Sequence, residues 1–123
     1  MASVIGIGGI FVKSKDPKAL QAWYRELLGL EIADWGGAQI WSRAERSYAV
    51  WSSFAADSKH FEPSSREFMI NLRVDDLDAL LGTLRAAGAN VLDRREDSAD
   101  GKFGYVVDPD GTLLELWQAA AQD

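Results

Sequence analysis

The sequence predicts an α+β fold: two β-α-β-β-β modules forming an open, cupped eight-stranded sheet with the helices outside. Three observations predict it. Asp16, Ala19 and Leu20 recur as Asp76, Ala79 and Leu80 at a constant offset of 60 residues, the mark of one supersecondary unit used twice. Each copy runs strand, Asp cap, amphipathic helix, glycine stop, strand. One helix per copy covers only one face of its sheet, so the other face must line something, and a cupped inner face is the default site.

The elements follow in order. The apolar run VIGIGGIFV is a strand. Asp16 can accept from early helical amides, and Pro17 suits the first helical position. Leu20, Trp23, Tyr24, Leu27 and Leu28 then form one buried face at helical spacing, and Gly29 can end it in the left-handed conformation. Three strand-like segments come next: Glu31–Trp35, a hairpin at Gly36-Gly37 into Ala38–Ser42, and a turn near Arg43–Arg46 into Ser47–Ser53. Phe54–Arg66 is a polar connector containing Ser and Pro, of a kind that is often functional or mobile. In the second copy Asp75 or Asp76 caps a helix with the stripe Leu77, Leu80, Leu81 and Leu84, and Gly88 stops it. Asn90–Arg95 turns at Ser98–Gly101 into Lys102–Asp108, and Asp108–Gly111 turns into Thr112–Gln118. The expected core residues of the helices are Leu20, Trp23, Leu27, Leu77, Leu80 and Leu84. The modules span about 4–53 and 67–118, joined by the connector 54–66, within a single domain of 123 residues.

Composition excludes several chemistries. With no cysteine there are no disulfides, zinc-thiolate sites, iron–sulfur clusters or thiol nucleophiles. With one histidine there is no multi-histidine metal site within one chain. A net charge of −6 and a pI near 4.7 argue against nucleic acid and anionic membranes, which need a basic footprint. The same charge suits a cationic ligand. VIGIGGIFV is far too short to span a bilayer, and no basic segment precedes a signal-like apolar run, so a cytoplasmic protein is expected. GIGG at Gly6–Gly9 lies within a strand with no helix opening after it, so it is not a dinucleotide fingerprint.

The stretch DPDGTLLELW sets one carboxylate among apolar neighbours. Leu113, Glu115 and Trp117 share one side of its strand, and Leu114 and Leu116 share the other. Glu115 is therefore a metal ligand, a general base, a ligand anchor, or a structural residue paired with a neighbour.

Three segments, KDPKALQAWYRELLGLEI, RVDDLDALLGTLRAAGANV and GYVVDPDGTLLELWQ, give the chain a resemblance to the vicinal oxygen chelate superfamily, which includes glyoxalases, extradiol dioxygenases and bleomycin-resistance proteins. It covers roughly Ile7 to Gln118. In metal-dependent relatives, inward side chains on the first and last strand of each module hold one divalent metal, commonly through two histidines and two glutamates. The resemblance puts these positions at Gly9, its repeat mate Met69, Glu115, and Ala49 by alignment of AVWS with ELWQ. Gly9 and Ala49 offer no ligand, and the Met69 thioether is a soft donor. The fold is therefore implied while the family's metal chemistry is not, and no cofactor is expected. The resemblance also implies a homodimer.

Alternation from Gly9 places Gly9, Phe11 and Lys13 inward on one strand and Met69, Asn71 and Arg73 on another. Ala49 and Trp51, and Leu113, Glu115 and Trp117, complete the inner face. The expected ligand-binding set is Phe11, Trp51, Met69, Asn71, Arg73, Glu115 and Trp117. Each has a plainer alternative. Arg73 and Lys13 are solvated strand ends or site cations, and Trp51 and Trp117 are packing residues or a ligand platform. Asn71 is a buried amide paired within the protein or with a ligand. His60 is an ordinary loop residue, a pH-sensitive lid or a proton shuttle. Glu115 is expected to face the cup beside a positive or hydrogen-bonding partner, Arg73 first, then Lys13 or Asn71. The functional expectation is a metal-independent small-molecule-binding protein similar to the bleomycin-resistance type. The alternatives are a glyoxalase-like lyase or isomerase, or a dioxygenase-like metalloenzyme, with an atypical ligand set, and metal-free catalysis with Glu115 as the base.

Overall fold

The computed structural model describes residues 2–28, 30–42, 47–109 and 111–121, except for the side chains of Trp23, Leu27, Leu28, Ser42 and Ser47. In chain order the elements are β1 (Val4–Ser14), α1 (Pro17–Leu28), β2 (Gly37–Ser42), β3 (Ser47–Ala55), β4 (Phe68–Val74), α2 (Leu77–Ala86), β5 (Asn90–Ser98), β6 (Gly101–Val107) and β7 (Leu113–Ala119). The seven strands form one open mixed sheet in the order β2-β3-β1-β4-β7-β6-β5. β1 pairs with β3, and β4 with β7, in parallel, while all other neighbours are antiparallel.

Both helices begin as their sequences require. Asp16 Oδ1 accepts from the Ala19 amide at 3.1 Å, and Asp76 Oδ1 accepts from Ala79 at 3.1 Å, each satisfying an otherwise unpaired N–H of a first turn. Gly88 takes φ +80 just beyond α2, where a side chain would be strained. α2 presses Leu77 and Leu81 onto the sheet. With Val74, Val106 and Leu116 they form one buried cluster, edged by the half-buried Leu80 and Leu84. Burying such a side chain fully contributes about 1.5–3 kcal/mol. The core of this helix is thus centred on Leu77 and Leu81, with Leu80 and Leu84 at its margin. On α1, Leu20 is half-buried and Tyr24 packs on Trp51 with ring centroids 4.3 Å apart. The expected core positions Trp23 and Leu27, the helix stop at Gly29 and the turn at 43–46 lie outside the described residues and side chains. No described helix is long and apolar enough to cross a membrane.

The expected strand at Glu31–Trp35 is absent. That segment spends its hydrogen bonds locally: Ala33 N donates to Gly37 O at 2.8 Å, and Gly36 N to Ala33 O at 2.9 Å. With Gly36 at φ +94, the chain closes a tight turn that leaves no backbone groups aligned for a ladder. The connector also differs from a bare polar loop. β3 runs on to Ala55, and Phe61 is fully buried against Phe11, Met69, Tyr105 and Leu113. This second cluster lies on the sheet face opposite the helices. One apolar side chain from the connector fills part of the inner face, doing there what a helix does on the other face.

Candidate functional site

Register sets up the site. Gly9 pairs with both Val50 and Asn71, Asn71 with Glu115, and Glu115 with Tyr105, so one row of residues crosses five strands. Side chains in one row of a sheet are neighbours on the same face. Asn71, Glu115 and Tyr105 therefore meet on the inner face, at 1%, 4% and 0% exposure. Asn71 Nδ2 donates to Glu115 Oε1 at 2.7 Å, and the Tyr105 hydroxyl donates to Oε2 at 2.7 Å. Both are short, charge-assisted bonds that compensate a buried carboxylate. His60 also lies beside the carboxylate, with Nε2 3.5 Å from Oε2.

Gly8 and Gly9 make room for this row. The β1–β4 ladder shifts between Ile7 and Gly9, a bulge that turns Gly8 toward the inner face. Any side chain at Gly8 would overlap Asn71 Oδ1 and Cγ. That Oδ1 is buried with no hydrogen-bond partner, and the neighbouring Arg73 Nε is likewise unpaired. Donation of Nδ2 to the carboxylate fixes which end of the Asn71 amide faces Gly8.

Arg94 closes the site from β5. Its Nη1 donates to His60 O at 2.8 Å, and Nη2 lies 2.9 Å from His60 Nδ1 and 3.1 Å from Nε2. Its guanidinium sits 3.9 Å above the Tyr105 ring, a cation–π contact. Burial, followed by the negative charge of Glu115, holds the Tyr105 hydroxyl well above the ordinary tyrosine range. At the far wall burial, followed by the charge of Asp100, raises Tyr48 as well.

Above the row lies a cleft with two ends. The aromatic end, about 330 Å³, is lined by Phe11, Trp35, Gln39, Tyr48, Val50, Asn71, Asp100, Phe103 and Trp117. The polar end, about 550 Å³, shares Phe11, Trp35, Val50, Asp100 and Phe103 and adds Ser52, Phe54, His60, Glu96, Ser98 and Glu115 among others. Both volumes suit a small molecule.

The expected site residues divide. Phe11, Asn71 and Trp117 line the aromatic end, and Phe11 and Glu115 the polar end. Met69 is buried in the cluster around Phe61. Arg73 is not the partner of Glu115. The parallel register sets it beside Trp117, where its guanidinium lies 4.3 Å from that ring and 5.0 Å from Tyr48, with Nη2 donating to Tyr48 O at 2.8 Å. Lys13 lies over Phe61 instead, at 5.4 Å. Trp51 points the other way, against Tyr24 of α1, and the inward residues of β3 are Tyr48, Val50 and Ser52. The alignment of AVWS with ELWQ is offset by three residues from the observed register, and an odd offset exchanges the faces of a strand. Phe11 pairs with Ser52 as its repeat mate Asn71 pairs with Glu115, so Ser52, not Ala49, is the counterpart of Glu115. Tyr48, Phe103 and Tyr105 were missed although alternation along β3 and β6 would place them inward. Trp35, Arg94 and the inward turn of His60 had no sequence signal, because loop path and hairpin twist decide them.

The donor set does not fit the divalent metal that metal-dependent members of the superfamily hold. The four positions are Gly9, Met69, Ser52 and Glu115: no side chain, a thioether, a hydroxyl and one carboxylate already accepting two hydrogen bonds. His60 could supply a fourth donor, but the Arg94 guanidinium already lies against both of its ring nitrogens. Among the described residues no group of three or more His, Cys, Asp or Glu could hold a metal ion.

The model of the glyoxalase-like domain family matches residues 9–117. No curated protein matches the chain. Among solved structures, a single-residue variant of the methylmalonyl-CoA epimerase of Streptomyces coelicolor in complex with 2-nitronate-propionyl-CoA is 22% identical, with a TM-score of 0.74 over 97% of this chain and 100% of that one. The methylmalonyl-CoA epimerase of Mycobacterium tuberculosis is 21% identical, with a TM-score of 0.65 over 96% and 90%. A glyoxalase/bleomycin resistance protein/dioxygenase superfamily member from Vibrio splendidus 12B01 is 17% identical, with a TM-score of 0.59 over 96% and 99%. At these identities the likeness is one of fold.

Proposed function

The chain belongs to the glyoxalase-like domain family and has the vicinal oxygen chelate fold, and from that premise we propose that it is a metal-independent small-molecule-binding protein of the bleomycin-resistance type. The observation that carries this reading is the inner row itself. Where metal-dependent relatives would hold an ion, Glu115 is held by Asn71 and Tyr105 through neutral donors at 2.7 Å, beneath a cleft of ligand size. Phe11, Asn71, Glu115 and Trp117 are its contact residues, with Tyr48, Phe103 and His60 added to them. In the same reading the chain is one domain of two β-α-β-β-β modules, about 4–53 and 67–118, joined by the connector 54–66. It works in the cytoplasm as a homodimer. Val4, Ile7, Ile10 and Phe68 support the dimer, since these apolar side chains are 40–56% exposed on the helix-side face of adjoining strands and a second copy could cover them. The metalloenzyme alternative would need donors that these positions lack.

Two measurements test the proposal. Plasma emission spectroscopy on purified protein should find no stoichiometric divalent metal; about one metal per chain, lost in Glu115→Ala, would overturn the metal-independent reading. In a fragment screen by protein NMR, hits should move the Trp117 indole and the Asn71 side-chain amide. A screen without hits, or hits only outside the cleft, would overturn the binding reading.

A further inference from the structure

We propose that the cleft selects a flat aromatic molecule carrying a protonated amine, its ring in the aromatic end and its ammonium against Asp100 and the acidic polar end. This rests on the small-molecule reading above and gives that ligand a chemical class. Charge comes first. The charged side chains lining the two ends are Glu96, Asp100 and Glu115, and neither Lys nor Arg lines them among the described residues. Glu96 is partly neutralised by Arg94, whose Nε lies 3.4 Å from Oε1, and Glu115 is covered by its donors. Asp100 forms no ion pair among the described residues, and it lines both ends. A carboxylate or phosphate entering here meets like charge, whereas an ammonium meets a carboxylate with no ion-pair partner among the described residues.

The shape agrees with this. Trp117 is stacked on Phe103 at 5.8 Å and 7° and carries Arg73 at 4.3 Å, so its faces are taken. Trp35 is 56% exposed and, like Phe103, lines both ends of the cleft, which leaves its indole available to a ligand. A flat ring suits a cleft lined by these aromatic side chains, and a cation close to them gains from their quadrupoles. Asn71 also lines the aromatic end.

Matched probes test the class. Naphthylmethylamine, naphthylmethanol, naphthylacetate and cyclohexylmethylamine are titrated calorimetrically into the full chain at neutral pH. The aromatic amine should bind about ten-fold more tightly than the aromatic alcohol and the non-aromatic amine, with naphthylacetate weakest. Asp100→Asn should shrink the amine-over-alcohol ratio at least about three-fold and leave the alcohol unaffected, with circular dichroism confirming the fold. Raising the salt should shrink that ratio in the wild type but not in Asp100→Asn. If naphthylacetate binds as well as the amine, or Asp100→Asn and Glu96→Gln both leave the ratio unchanged, the class is wrong while small-molecule binding stands. If no probe binds and the fragment screen also finds nothing in the cleft, the binding reading falls and this inference with it.

Discussion

Replacing Tyr105 with phenylalanine isolates one hydrogen bond at the base of the cleft. The side chain is 0% exposed, so the vacated position has no access to bulk water, and its hydroxyl donates to Glu115 Oε2 at 2.7 Å. The phenyl ring keeps its place under the Arg94 guanidinium, 3.9 Å from the ring centroid, so the cation–π contact survives and only the O–H is lost. A hydrogen bond to a charged group is worth about 1.5–3 kcal/mol, and the carboxylate left behind keeps Asn71 and the nearby His60. The expected loss is therefore about 2 kcal/mol at neutral pH. With a urea m-value of about 1–3 kcal/mol/M for a domain of this size, the midpoint should fall by roughly 1 M. Tryptophan fluorescence during urea unfolding reads it, with Tyr105→Phe, Glu115→Gln and the double variant completing a cycle. A coupling energy of about 1 kcal/mol or more is expected for groups in direct contact. Coupling near zero, or a Tyr105→Phe loss below about 0.5 kcal/mol, would mean that the hydroxyl does not support the carboxylate and that the row is packing alone.

Three further outcomes follow from the same geometry. Leu81→Ala should cost about 2–5 kcal/mol in urea melts and Leu80→Ala clearly less, because Leu81 is 1% exposed and Leu80 only half-buried; the reverse order would contradict the facing of α2. Gly8→Ala should destabilise by about 1–3 kcal/mol and shift the Asn71 side-chain amide resonances, since the new methyl overlaps the Asn71 carboxamide; an unperturbed amide would refute the bulge geometry. Tyr105 and Tyr48 both hold their protons more tightly when folded, so their contribution is intact below the ordinary tyrosine pKa of about 10 and is lost as pH rises above it, at about 1.4 kcal/mol per pH unit for each tyrosine held protonated. Alkaline stability curves should therefore be shallower in Tyr105→Phe, and the Tyr105 tyrosinate absorbance should emerge only with unfolding.

The sequence by itself determined the α+β class, both helix starts, the turn at Asp108 and the inward side of β1, β4 and β7. These are local properties: a capping carboxylate satisfies amides within its own turn, and alternation is fixed by the pleat. It also determined which donors are missing for a divalent metal, since Gly9 and Met69 cannot change chemistry by folding. Only the tertiary structure decided which residues face Glu115. Arg73 and Asn71 share a strand face, and sequence cannot say which lies opposite the carboxylate. The parallel register with β7 gives that place to Asn71 and sends Arg73 to Trp117. The same holds for β3, where the register gives the place opposite Phe11 to Ser52 rather than Ala49 and turns Trp51 to the helix side. Register is set by the fit of whole strands rather than by any single residue. The connector is the extreme case. Its polar composition conceals Phe61, which the inner face buries completely, and His60, which Arg94 and Glu115 draw over the cleft from residues 34 and 55 positions away in the chain. Contacts over such separations have no trace in local pattern, because the free energy that creates them comes from burial that exists only once the sheet has formed.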